Sequence, residues 1–284
     1  MDIDQARTFL AIAAHGSFLE AAKRLHLTQS TVSARIQTLE SDLGARLFVR
    51  NRAGASLTPA GRRFLQHAKT LVLTVAQARH DVGLPSRYRA TVRIGGRIAL
   101  WDGFLPRWVG WMRQAAPDVS IRSEIGFEED LMRRLIEGTL DIGLMYTPSH
   151  APGLVVEHLF DETLVLVSSR PDTQWPGDDY IYVEWGASFY AKHRESYPDL
   201  ERPAQVVNIG WLGVQLILAN GGTCFLPIRM AQPLLDSGRL YKVEDGPELP
   251  HPAYMVFPRE TDGDVIRQAV EGLRSLAQDE QAGG

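Results

Sequence analysis

Gln29, Ser30, Thr31, Ser33 and Arg35 crowd into seven residues. Around them Val32, Ile36, Leu39 and Leu43 recur at i, i+4, i+7 and i+11. That spacing predicts a helix with one apolar stripe. Its other faces carry amides and hydroxyls, groups that both donate and accept hydrogen bonds. No acidic residue precedes Glu40 within it. A helix that needs only to stay soluble covers its outer face with Lys and Glu. This face suits hydrogen bonding to a polar, anionic surface, so its chemistry is recognition.

The neighbouring segments are built to position it. Ile3 to Ala14 reads as a short amphipathic helix stopped by Gly16. Ser17-Phe18-Leu19-Glu20 matches a capping box, in which the Glu20 side chain returns to the Ser17 amide. Phe18, Ala21, Ala22 and Leu25 then form a stripe that admits close approach of another helix. His26-Leu27 leave only a tight turn before Thr28, a good N-cap. Two short helices joined this tightly make a helix-turn-helix. Gln, Ser, Thr and Arg side chains are suited to base edges in a major groove. Next, residues 46–50 and 56–58 flank a turn. They predict a hairpin wing whose Arg46, Arg50 and Arg52 suit a phosphate backbone. Thr58-Pro59 opens a helix running to about Val82. Its Phe64, Ala68, Leu71, Val75, Ala78 and Val82 form a heptad-like seam for a second copy. Packing onto its own domain is the alternative weighed there.

Residues 16–61, GSFLEAAKRLHLTQSTVSARIQTLESDLGARLFVRNRAGASLTPAG, resemble the DNA-binding domain of LysR-type transcriptional regulators. The resemblance rests on Ala21-Ala22, Gln29-Ser30, Ser33, Leu39-Glu40, Leu43-Gly44, Leu47-Phe48, Arg50, Leu57-Thr58 and Gly61 together. It implies that Gln29, Ser30 and Thr31 face bases, with Ser33, Arg35, Arg50 and Arg52 near phosphates. Leu19 stands where a Thr is common, a departure away from the docking surface.

Charge separates this end of the chain from the rest. Residues 1–90 hold 13 Lys and Arg against 6 Asp and Glu, net +7; the remainder holds 17 against 28, net −11. A basic head on an acidic body fits a polyanion-binding module joined to another kind of domain. The 284 residues suggest two or three domains. A membrane span is not expected, because no apolar run reaches 18 residues. The first residues lack a signal peptide's pattern, so the cytoplasm is the expected location. Cys224, the single cysteine, excludes an internal disulfide and reads as a buried small residue. His150, His158 and His193 with Glu195 lack metal-ligand spacing and read as surface residues. Gly95-Gly96 is no nucleotide loop, and no catalytic triad or carboxylate pair stands out. No catalytic residue, metal or cofactor is expected. A constitutive architectural DNA binder and an enzyme with a DNA-binding head are the other readings weighed.

From Thr91 the texture changes. Strand-like runs at 92–95, 119–125 and 141–146 alternate with helical ones at 104–115 and 129–138. A second group follows: strands at 163–168, 180–184 and 206–209, helices near 189–195 and 212–219, then Cys224–Pro227, a strand at 254–257 and a helix at 264–277. Such alternation predicts an α/β sheet with crossover helices. IGG…FLPRW, PDVSIRSEIG, LIEGTLDIGLMY and GGTCFLP resemble landmarks of the same family. The resemblance implies a two-lobed, periplasmic-binding-protein-like effector domain behind the winged helix-turn-helix. The expected domains are 1–58 for DNA binding, 59–90 for the dimerisation helix and hinge, and 91–284 for the effector. Lobe I would be 91–160 plus 258–284, and lobe II 161–257.

In such a fold a ligand sits in a cleft at the strand ends. The family often supplies a Ser or Thr for an anionic effector after the first strand, and Ala99 stands there. Arg97, Trp101, Phe127, Tyr146, Trp185 and Phe225 complete the candidate effector set. Arg97 reads better as an exposed arginine on a lobe edge than as an anion ligand. The expectation is a small, partly aromatic effector. The expected partners are double-stranded DNA and this effector, with a homodimer through the 59–82 helix and, as the resemblance implies, a homotetramer.

Overall fold

A computed structural model describes residues 1–51, 54–198, 203–260 and 264–283. The side chain of Arg50 and the whole of Arg52 lie outside the described residues. The chain forms two compact units, Met1–Pro85 and Ser86–Gly284.

The first unit runs α1 (Ile3–His15), α2 (Phe18–Leu25), α3 (Gln29–Leu43), β1 (Phe48–Asn51), β2 (Gly54–Leu57) and α4 (Pro59–Val82). The periodicity that predicts these helices also supplies the core. Phe9 and Ile12 of α1, Ala21 and Ala22 of α2, and Val32, Ile36 and Leu39 of α3 are buried together. The Phe9 ring meets Phe48 at 5.1 Å and Phe64 at 5.0 Å, joining helices to hairpin. Leu43 departs from the expected stripe and is exposed, because α3 ends at Gly44 in the left-handed conformation. The capping box also moves. Ser17 accepts from the Glu20 amide, but the Glu20 carboxylate pairs with Lys23 at 2.7 Å. The reciprocal pair stands on α1 instead, between Asp2 and Gln5. Along α4 the seam divides: Phe64 and Ala68 are buried in this unit, whereas Leu71 and Val82 are exposed.

The second unit is α/β. It comprises β3 (Ala90–Gly96), α5 (Ile98–Trp101), α6 (Phe104–Ala115), β4 (Val119–Ile125), α7 (Glu128–Ile136), β5 (Ile142–Met145), β6 (Leu154–Ser168), β7 (Ile181–Val183), α8 (Ala187–Ser196), β8 (Gln205–Val207), α9 (Gly210–Asn220), β9 (Thr223–Pro227), α10 (Ile228–Asp236), β10 (Tyr241–Lys242), β11 (Leu249–Pro258) and α11 (Asp264–Gly283). The main sheet has seven strands, ordered β10-β6-β11-β5-β3-β4 with β9 also on β6. β3 lies parallel to β4 and β5, while β11 is antiparallel to β5 and β6. β7 and β8 form a separate parallel pair. The buried Trp108 indole donates to the Ala269 carbonyl at 2.9 Å, fixing α6 against α11.

Candidate DNA-reading surface and ligand pocket

The first turn of α3 is fixed by its cap. Thr28 Oγ1 accepts from the Thr31 amide at 3.2 Å and lies 2.9 Å from Ser30 Oγ and 2.8 Å from Thr31 Oγ1. Gln29 and Ser30 are exposed, and Thr31 and Ser33 are half-buried. The Gln29 amide makes no hydrogen bond among the described residues, so its donors and acceptor are uncommitted. Arg35 is placed differently. Its guanidinium turns to α1, 3.1 Å from Asp4 Oδ2 and donating to Thr8 Oγ1 at 3.4 Å. A phosphate approaching Arg35 therefore competes with Asp4.

The hairpin is pinned at both ends. Glu40 Oε1 accepts from the amides of Leu47 at 2.7 Å and Phe48 at 3.3 Å. Thr58 Oγ1 donates to the Arg46 carbonyl at 2.7 Å, and the Ala55 amide to Gly16 O at 2.7 Å. At Gly61 a Cβ would stand 2.2 Å from the Leu47 carbonyl oxygen, so only glycine lets α4 start beneath the wing. This register puts exposed Arg46 at the hairpin base. Glu40, read from sequence only as the first acid of the helix, proves to be the link that orients the wing.

In the second unit a cavity of about 820 Å³ opens among loops at the strand ends. Arg97 follows β3, and Phe127 and Glu128 stand where α7 begins. Tyr182, Glu184, Trp185, Tyr190, His193, Arg194 and Tyr197 close it from β7 and α8. Arg97 is buried at 7% exposure, contrary to its expected place on an exposed edge. Its Nε lies 3.4 Å from Glu128 Oε1, and its guanidinium carbon stands 4.5 Å from the Phe127 ring centre. Trp185 donates its indole N–H to the Phe225 carbonyl at 2.9 Å. Its ring lies so near Gly210 that a Cβ there would come within 2.3 Å.

Of the seven residues singled out for this site, Arg97, Phe127 and Trp185 line the cavity. The other four stand outside its lining, each held by an internal partner or by packing. Ala99 is buried, and its carbonyl accepts from Arg229 at 3.0 Å. Trp101 Nε1 donates to Glu124 O at 2.9 Å. Phe225 is fully buried. The buried Tyr146 hydroxyl donates to Glu162 at 2.5 Å.

The lining residues of α8 were not anticipated, although Tyr190, His193, Arg194 and Tyr197 follow helical spacing i, i+3, i+4, i+7. His193 also corrects the surface reading. It is buried, its Nε2 is 3.0 Å from the Tyr180 hydroxyl, and burial lowers its pKa.

Behind the cavity lies a buried ionic cluster. Glu162 pairs with Arg229, whose Nε is 3.6 Å from Glu280 Oε1. Burial pushes both the Glu162 carboxyl and the Tyr146 hydroxyl upward. Facing Glu162 across β6 and β11, His251 stacks on Tyr146 at 4.0 Å. Burial, then the positive charges of Arg97 and Lys192, push His251 down to about 3. No group of His, Cys, Asp and Glu able to hold a metal occurs among the described residues. No helix among them is long and apolar enough to cross a membrane.

An open recognition helix in one unit and an aromatic pocket in the other define a one-component regulator, sensing and DNA reading joined in one chain. Residues 3–62 match the model for bacterial regulatory helix-turn-helix proteins of the lysR family, and residues 86–278 the LysR substrate binding domain. The chain is 31% identical over 284 residues to the HTH-type transcriptional regulator HdfR of Yersinia enterocolitica, covering 95% of this chain and 96% of that protein. Its fold is similar to full-length CbnR complexed with its target DNA, with TM-score 0.74, 22% identity and coverage of 97% and 100%. It is also similar to Vibrio fischeri DarR in complex with DNA, with TM-score 0.61, 19% identity and coverage of 97% and 99%. The chain belongs to the LysR family. It is a DNA-binding transcriptional regulator with a periplasmic-binding-protein-like effector domain, and as a member of that family it is not an enzyme.

Proposed function

We propose that Gln29, Ser30 and Thr31 read base edges in the major groove, while Ser33, Arg35, Arg50 and Arg52 approach phosphates. The observation that carries this reading is the uncommitted Gln29 amide on a helix turn stiffened by the Thr28 cap. The DNA complexes of CbnR and DarR, proteins of similar fold, support it. Residues 1–58 then act as the DNA-binding domain, 59–90 as dimerisation helix and hinge, and 91–284 as effector domain. Within the last, lobe I is 91–160 with 258–284, and lobe II is 161–257.

The exposed Leu71 and Val82 on α4 offer an apolar seam to a second copy. A homodimer made there meets a two-fold-related operator, and two dimers form a tetramer. A small molecule in the cavity shifts the balance between lobe arrangements and so alters the DNA contacts. The protein acts in the cytoplasm, where its DNA is.

Fluorescence anisotropy with the protein's own promoter region tests the docking. Gln29→Ala should weaken discrimination between that duplex and scrambled DNA, and unchanged affinity and discrimination would sink it. The pocket is tested with Ala187→Trp, which fills the cavity from an exposed lining position. Its footprint should no longer respond to a metabolite extract that shifts the wild-type footprint. An undiminished response would place the effector elsewhere.

A further inference from the structure

The cavity carries one cation in an unusual state. Arg97 is buried, its Nε is held by Glu128 at 3.4 Å, and its face is backed by the Phe127 ring at 4.5 Å. Its two terminal nitrogens make no hydrogen bond among the described residues, although Arg97 lines the cavity. A guanidinium ion-paired on its Nε side and stacked on one face leaves its terminal N–H groups to a ligand. Such a fork matches an oxyanion, and the planar one is a carboxylate.

The surrounding charge limits the ligand further. Arg97 and Arg194 line the cavity against Glu128 and Glu184. Arg194 is exposed, so water screens it and it adds little. Glu184 is exposed and screened in the same way, so one carboxylate finds a desolvated partner at Arg97, whereas a second would face the half-buried Glu128 without one. Five further lining residues, Phe127, Tyr182, Trp185, Tyr190 and Tyr197, are aromatic, and flat rings pack against such side chains by offset stacking and edge contacts.

We propose that the cavity binds an aromatic monocarboxylate, its carboxylate on the Arg97 fork and its ring among Phe127, Tyr182 and Trp185. This rests on the reading of the cavity as the effector site.

Isothermal titration calorimetry of the full-length protein tests it, with 1-naphthoate, 1-naphthylmethylamine and succinate as probes. The proposal expects heat from 1-naphthoate alone. The dissociation constant should rise roughly ten- to a hundredfold in Arg97→Gln, the loss expected for a charged hydrogen-bond partner. Arg97→Lys, which keeps the charge without the fork, should recover only part of it. Melting curves confirm that each variant is folded, and Phe127→Leu gives an independent reading because it removes the stacking ring and leaves the fork. Binding of the amine or succinate but not naphthoate, abolished by Ala187→Trp, would overturn the ligand class while upholding the pocket. Naphthoate binding unchanged in Arg97→Gln, Phe127→Leu and Ala187→Trp would overturn both. No heat from any probe would overturn the ligand class, leaving the pocket to the extract-response test.

Discussion

Gln29 and Arg35 sit on one helix and do different work. Gln29 is exposed with free hydrogen-bonding groups, so Gln29→Ala should cost about 1–3 kcal/mol of discrimination at one base pair. Arg50 stands on a wing suited to phosphate. Arg50→Ala should weaken binding to every sequence and lower the salt slope by about 0.9, read from anisotropy at several salt concentrations. Arg35 is tied to Asp4, and that partnership was not legible, because a residue 31 positions away supplies it. His251 argues for a pH effect. The unfolded chain protonates it near 6.5, whereas the folded protein holds the proton off until about 3. Between those values the unfolded state binds more protons. The stability this group contributes is therefore present above pH 6.5 and lost as pH falls towards 3. Urea midpoints should fall across that window in the wild type and fall less steeply in His251→Gln. Parallel slopes would contradict this.

Backbone groups join several elements beside the side-chain core. Gly61 lies so close to the Leu47 carbonyl that Gly61→Ala should destabilise the first unit by about 1–3 kcal/mol through overpacking. Thr28→Ala, which removes the α3 cap, should cost about 1 kcal/mol. Chemical denaturation measures both, and Thr28→Ala should weaken DNA binding further by loosening the turn that carries Gln29. Helices with strong periodicity were legible in the sequence, α3 and α4 above all. β6 was legible only from Thr163, yet it begins at Leu154. Its first half reads as too polar because Glu157, His158, Asp161 and Glu162 interrupt it. Two of these acids find distant partners, Glu157 at Arg274 and Glu162 at Tyr146 and Arg229. α10 escaped for a different reason: Pro233 lies inside it, and a proline argues against helix in a local reading.

For the molecule as a whole, the charge difference between its two parts matches a division of labour. The basic first part supplies attraction to DNA, and the acidic second part houses a cavity lined by the buried Arg97. The family was legible through the resemblance of residues 16–61, and α3 was legible as a helix through its local spacing. The cavity was legible only at Arg97, Phe127 and Trp185. Its remaining wall comes mainly from β7, α8 and β8, and the helical spacing of Tyr190, His193, Arg194 and Tyr197 carries no sign of which space they face. Whether the exposed start of α3 reads base sequence is decided by selection of bound duplexes from a random-sequence library. Wild-type protein should enrich two half-sites related by two-fold symmetry, and Gln29→Ala should lose preference at one position in each half. An identical enriched motif from both proteins, or no motif from the wild type, would contradict the account.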